Sequence, residues 1–112
     1  MINLTPHVIV VRLNGRDIII PPSGQIARVA TSAELVAEVD GIPVYRTVFG
    51  QLEGLPEPTD GIVLITSTIV AQAAARLGRT DVVSPDTGPT AVREDGRIVA
   101  VTRLQTFGEA LS

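Results

Sequence analysis

Ile62-Val63-Leu64-Ile65-Thr66-Ser67-Thr68-Ile69-Val70-Ala71-Gln72-Ala73-Ala74-Ala75-Arg76-Leu77-Gly78 is the stretch where the hydrophobic pattern changes period, and it decides the fold class. Its first four residues form a continuous β-branched and aliphatic run bounded by Gly61, which reads as a short buried strand. From Thr66 the period becomes helical. Ile69, Val70, Ala73, Ala74 and Leu77 share one face, and Thr68, Gln72 and Arg76 lie on the other. Three hydroxyl residues open the helix and Gly78 closes it in the left-handed conformation that glycine adopts cheaply. The pattern predicts one helix over about 67–77, with alanines that let it lie close against a sheet.

Outward from this stretch, the chain reads as strands. Val8–Leu13 and Asp17–Ile20 flank Asn14-Gly15, a strong signal for a two-residue hairpin. Pro21-Pro22-Ser23-Gly24 ends that hairpin, since proline donates nothing to a ladder. Gln25–Ala30 and Leu35–Val39 alternate apolar and polar residues, and Val44–Leu52 does so after Gly41 and Pro43. Asp81–Val83 resumes the strand pattern after the helix. A second hairpin runs from Ala91–Arg93 through Glu94-Asp95-Gly96 into Arg97–Gln105. The expectation is a single α+β domain, 1–112, mainly β. It would hold about seven to nine short strands in a compact mixed or partly barrel-like sheet under one covering helix.

Composition narrows the function classes. With 112 residues the chain suffices for one core, and its 45% hydrophobic and 19% charged residues argue against disorder. There is no Cys, which excludes a disulfide scaffold, a thiolate metal site and a cysteine nucleophile. A single His leaves too few ligands for a metal centre, so neither a metal nor another cofactor is expected. The net charge is −3 and every cation is Arg, with no basic run; general nucleic-acid binding is therefore disfavoured. No apolar run reaches the length of a membrane span and no secretory leader pattern opens the chain, so a cytoplasmic, non-membrane protein is expected.

Chemistry could sit in four places. A strand running into Thr66-Ser67-Thr68 and then a helix presents free backbone N–H groups and a positive dipole end, which suit a phosphate or carboxylate. No Glu or Gln follows three residues after any of these hydroxyls, so no capping box closes the end. An ordinary N-cap is the bland reading. Second, Arg79 and Asp81 precede a stiff polar loop, Ser84–Thr90, carrying Asp86 and Thr87, which could contact a ligand or simply form Asx turns. Third, Asn3, Thr5 and His7 read as a turn into the first strand. Fourth, Tyr45 and Phe49 on one strand face could stack on a base, although such residues more often make core or subunit interface. Asp86-Thr87-Gly88 resembles the Asp-Thr-Gly triplet of retroviral-type aspartic proteases, but in those three residues only. Ser84-Pro85 before it and Pro89 after it depart from that family's apolar surroundings.

Asn3-Leu4-Thr5-Pro6-His7, Pro21-Pro22-Ser23-Gly24 with Ala27-Arg28-Val29, Gly41-Ile42-Pro43-Val44 and Gly54-Leu55-Pro56 together resemble a family of short proteins encoded by phages and prophages. The similarity spans most of the chain and carries no residue roles with it. By analogy of class, it implies a non-enzymatic, homo-oligomeric protein that sequesters a nucleotide-derived signal, such as a cyclic nucleotide or an ADP-ribose derivative, against host immunity. On that expectation Thr66, Ser67 and Thr68 cradle phosphate and Arg79 or Arg28 neutralises charge. Asp86 or Thr87 accepts ribose hydroxyls, and Tyr45 or Phe49 stacks on a base. The alternatives are a structural or host-protein-interaction module and, from Asp86-Thr87-Gly88, an aspartic-type hydrolase.

Overall fold

The computed structural model describes residues 1–108; the last four residues of the expected 1–112 domain lie outside the described residues. Its elements are β1 (Ile2–Asn3), β2 (Ile9–Leu13), β3 (Arg16–Ile20), β4 (Arg28–Val39), β5 (Ile42–Glu53), β6 (Leu64–Ile65), α1 (Thr68–Arg76), β7 (Val82–Pro85), β8 (Val92–Glu94), β9 (Arg97–Ala100) and β10 (Leu104–Gln105). The fold is α+β and mainly β, with one helix among the described residues.

The centre is a small sheet in the order β1-β6-β7-β10. β1, β6 and β7 run parallel and β10 runs antiparallel to β7. Parallel neighbours need a crossover, and α1 supplies it between β6 and β7. Successive strand residues face opposite sides, and the core divides accordingly. Leu64 and Val82 pack with Leu4, Ala27, Val70, Ala71 and Ala74 on the helix side. Ile65 and Val83 pack with Ile9, Val11 and Val101 on the other. The alanines of α1 bring its axis close enough to the sheet for Val70 and Ala74 to be fully buried.

Three two-residue hairpins surround this centre: β2–β3, β4–β5 and β8–β9. Their turn pairs Asn14-Gly15, Asp40-Gly41 and Asp95-Gly96 all have positive φ at both residues, the geometry whose twist matches the flanking strands. The β4–β5 hairpin stands apart. Its root packs Val29 and Leu52 against the helix-side core, but residues 30–48 are exposed on both faces. Gly54 fixes where the chain leaves this hairpin. Its φ is +82°, and a Cβ there would lie 2.4 Å from the Ile26 carbonyl oxygen, so only glycine fits.

Four expectations are corrected. The strands do not form one compact mixed or partly barrel-like sheet but a four-stranded sheet and three separate hairpins, with ten strands among the described residues. The separate segments Gln25–Ala30 and Leu35–Val39 are one strand, β4, whose register shifts between Val29 and Thr31 and again between Leu35 and Ala37. The first shift places the extra residue in β5 and the second places one, Val36, in β4. Residues 31–34, which join the two expected segments, are small or polar and exposed, so they lack the apolar alternation that marks a strand in sequence. The run Arg97–Gln105 divides into β9 and β10, because Val101 leaves β9 to bridge Val11. The run Ile62–Ile65 pairs as a strand only at Leu64–Ile65. The helix matches its expected span, with Ser67 and Leu77 as its caps.

Candidate functional site

Because β1, β6 and β7 are parallel and in register (Asn3 beside Ile65, Ile65 beside Val83), the segments that follow them emerge at one edge of the sheet. Those segments are Leu4-Thr5-Pro6, Thr66-Ser67 and, past the part of β7 that pairs with β6, Ser84 to Asp86. The carboxyl edge of parallel strands is where open α/β sheets place their ligands, since loops and helix starts gather there.

Each segment is fixed locally. Asn3 is buried and all its hydrogen-bonding capacity is used: Nδ2 donates to the His7 and Ile20 carbonyls at 2.8 and 3.1 Å. Its Oδ1 accepts from the Thr5 N–H at 3.0 Å and the Thr5 hydroxyl at 2.7 Å. The Asn3–Thr5–His7 segment is thus a structural turn. Thr66 is fully buried, and its hydroxyl donates to the Ser67 carbonyl at 2.9 Å. Ser67 is the N-cap, its Oγ accepting from the Val70 N–H at 3.3 Å. Helical geometry leaves the Thr68 and Ile69 amides without an acceptor of their own. No acidic residue occupies the first turn to neutralise the dipole end. Ser84 Oγ, one residue beyond the Ile65–Val83 register, is buried without a hydrogen-bond partner.

A recess of about 210 Å³ opens at this corner, lined by Thr5, Pro6, Arg28, Ser67, Ile69 and Val70 among others. Arg28 reaches it from the first position of β4. Arg28 belongs to none of the ion pairs formed among the described residues. Of the residues singled out in the sequence, the structure therefore brings together Ser67 and Arg28, with Thr66 and Thr68 on either side of Ser67 in the chain.

The others are elsewhere or otherwise engaged. Arg79 grips Asp81 through Nε at 3.0 Å and Nη2 at 2.9 Å, and Nη2 also donates to the Pro56 carbonyl at 2.8 Å. Hydrogen bonding from Arg79 holds the Asp81 carboxyl below its ordinary range, against the opposing effect of burial. Asp86 lies on the right sheet edge but accepts from Arg103 Nε at 2.7 Å and from the Gly88 N–H at 3.0 Å. Those two bonds, Arg103 first, lower its pKa. An aspartic protease dyad works the opposite way, with two carboxyls sharing a proton. The Thr87 carbonyl accepts from Arg93. Tyr45 lies opposite Leu35 on the exposed part of the β4–β5 hairpin and does not line the recess, so within one chain it cannot stack on a ligand held there.

A second, larger concavity of about 700 Å³ lies between the hairpin root and α1, and of the residues singled out in the sequence it takes in Phe49, away from the recess at Ser67. Glu34, Arg46, Phe49 and Arg76 line it. Arg46 and Phe49 were visible in sequence as strand residues, but the approach of Arg76 depends on the docking of the helix. Among the described residues no helix is long and apolar enough to cross a membrane. No family model, no curated protein and no solved structure matches the chain.

Proposed function

We propose that this chain is a binding protein that holds a nucleotide-derived anion without turning it over, with the ligand's phosphate at the start of α1. One observation supports the reading above all: the recess at the carboxyl edge of the parallel strands combines Arg28 with a first helical turn that has free amides and no acidic residue. A helix N-terminus carries roughly half a positive charge. A guanidinium beside it supplies the fork that fits phosphate oxygens. The phage-type resemblance of the sequence gives the setting, in which such a protein removes a signalling nucleotide from its host. Isothermal titration against cyclic dinucleotides and cyclic ADP-ribose isomers tests it. Binding that disappears in Arg28→Ala supports the proposal, and no heat with any member of either class overturns it.

A second reading, a structural or host-protein-interaction module, is favoured by the exposed β4–β5 hairpin, which offers aliphatic side chains on both faces. That reading needs no ligand in the recess.

A further inference from the structure

The β4–β5 hairpin projects as an arm that nothing among the described residues covers. A two-stranded hairpin is at best marginally stable in water, yet each strand here has 12 residues. Leu35, Val39, Ile42 and Tyr45 are each more than half exposed on it. The whole chain shares this incompleteness. Its radius of gyration is 16.1 Å, against roughly 13 Å for a compact chain of this length. It exposes 7456 Å², about 1,500 Å² more than a compact chain of its mass would. A stable interface takes about 800 Å² from each partner, so the excess is large enough to form one.

We propose that the arm docks on a second copy of this chain, its tip seated in the partner's groove between the hairpin root and α1. Charge picks the occupant. Glu38 and Asp40 flank the tip of the arm, whereas Arg46 and Arg76 line the groove against a single carboxylate, Glu34. Acidic tip and basic groove on one chain are self-complementary, which an isologous two-fold pair requires. In such a pair each tip meets the other copy's groove, and the aliphatic faces of the two arms cover one another. This inference is independent of the anion reading, because no residue of the groove lines the recess at Ser67.

Sedimentation equilibrium on the full chain tests it, with Ile42→Glu, Glu38→Arg, Arg76→Glu and the double charge reversal Glu38→Arg/Arg76→Glu. The wild type is expected at twice the chain mass of 11.8 kDa. Ile42→Glu and each single reversal should weaken the dimer about tenfold or more, and the double reversal should restore it. Glu38→Arg sits at an exposed position near the turn, so its loss of assembly cannot be attributed to unfolding; far-ultraviolet circular dichroism checks the others. A monomer at every concentration up to roughly 100 μM, an assembly indifferent to these substitutions, or singles that weaken it without rescue by the double, would each overturn the proposal.

Discussion

The Arg76 guanidinium lies 4.5 Å above the centroid of the Phe49 ring, joining the last turn of the helix to the root of the long hairpin. Phe49 is half-buried and its neighbours in β5 are exposed, so this contact and the packing of Val29 and Leu52 set how the arm leaves the body. A double-mutant cycle on Phe49→Ala and Arg76→Ala should give a coupling of about 0.5–1 kcal/mol by urea unfolding, the range of a partly exposed cation–π pair. Additive effects would mean the ring and the guanidinium act separately.

Asn3→Ala should be among the most damaging single changes in the chain. It removes a buried side chain that donates to two carbonyls and accepts from both groups of Thr5. With several buried polar groups left unsatisfied, the expected loss is about 3 kcal/mol, read from the denaturant midpoint. Thr5→Val, which spares the two carbonyl contacts, should cost less.

Acid should destabilise the fold through Asp81 and Asp86. Both carboxyls are held below their ordinary pKa, chiefly by hydrogen bonds from Arg79 and Arg103 respectively. The unfolded chain therefore binds protons at these sites before the folded chain does. Their contribution is full at neutral pH, begins to fall as pH drops through about 4, the unfolded value, and is lost below the folded pKa. Unfolding midpoints measured from pH 7 to pH 2 should be flat in this respect above about pH 5 and decline below it. Asp81→Asn should shallow the decline.

Gly54→Ala should cost about 2–4 kcal/mol, because a positive φ and a backbone oxygen 2.4 Å from the new Cβ act together. Gly41→Ala has the same kind of φ but open space around it. It should cost only about 1–2 kcal/mol. Thermal melts of the two variants separate the conformational penalty from the collision.

Capping and ligand binding should come apart in two variants of the recess. Ser67→Ala removes the acceptor of the Val70 amide and should cost about 1 kcal/mol of stability. Arg28→Ala removes an exposed side chain outside the described ion pairs and should leave the melt within about 0.5 kcal/mol of wild type while abolishing anion binding. A ligand that binds Arg28→Ala as tightly as wild type would place the site elsewhere.

The helix and two of the three hairpins were legible because each has a local physical marker. Hydrophobic spacing and terminal glycine give α1; Asn14-Gly15 and Asp95-Gly96 give the turns of β2–β3 and β8–β9. Asp40-Gly41 carried the same signal between two alternating stretches, Leu35–Val39 and Val44–Leu52, but Gly41 and Pro43 read as a break. The exposed, polar residues 31–34 gave no strand pattern to join the arm into one long hairpin. At the candidate site, an N-cap from one of the hydroxyls Thr66, Ser67 or Thr68 followed from their position at the start of the helical run, and the structure selects Ser67. The engagement of Asp86 with Arg103 did not, since the two are 17 residues apart and meet only through the pairing of β7 with β10.

By itself, then, the order of residues determined what depends on near neighbours: one amphipathic helix, its caps, tight turns at Asn-Gly and Asp-Gly, and a chain rich in strands. Only the tertiary structure decided which strands are parallel, which guanidinium reaches the start of the helix, and that residues 30–48 stand in water on both faces. Local backbone preference and side-chain period act over a few residues. The neighbours of Arg28 and the solitude of the arm follow from closing long loops around a small sheet, and no short window of sequence contains that information.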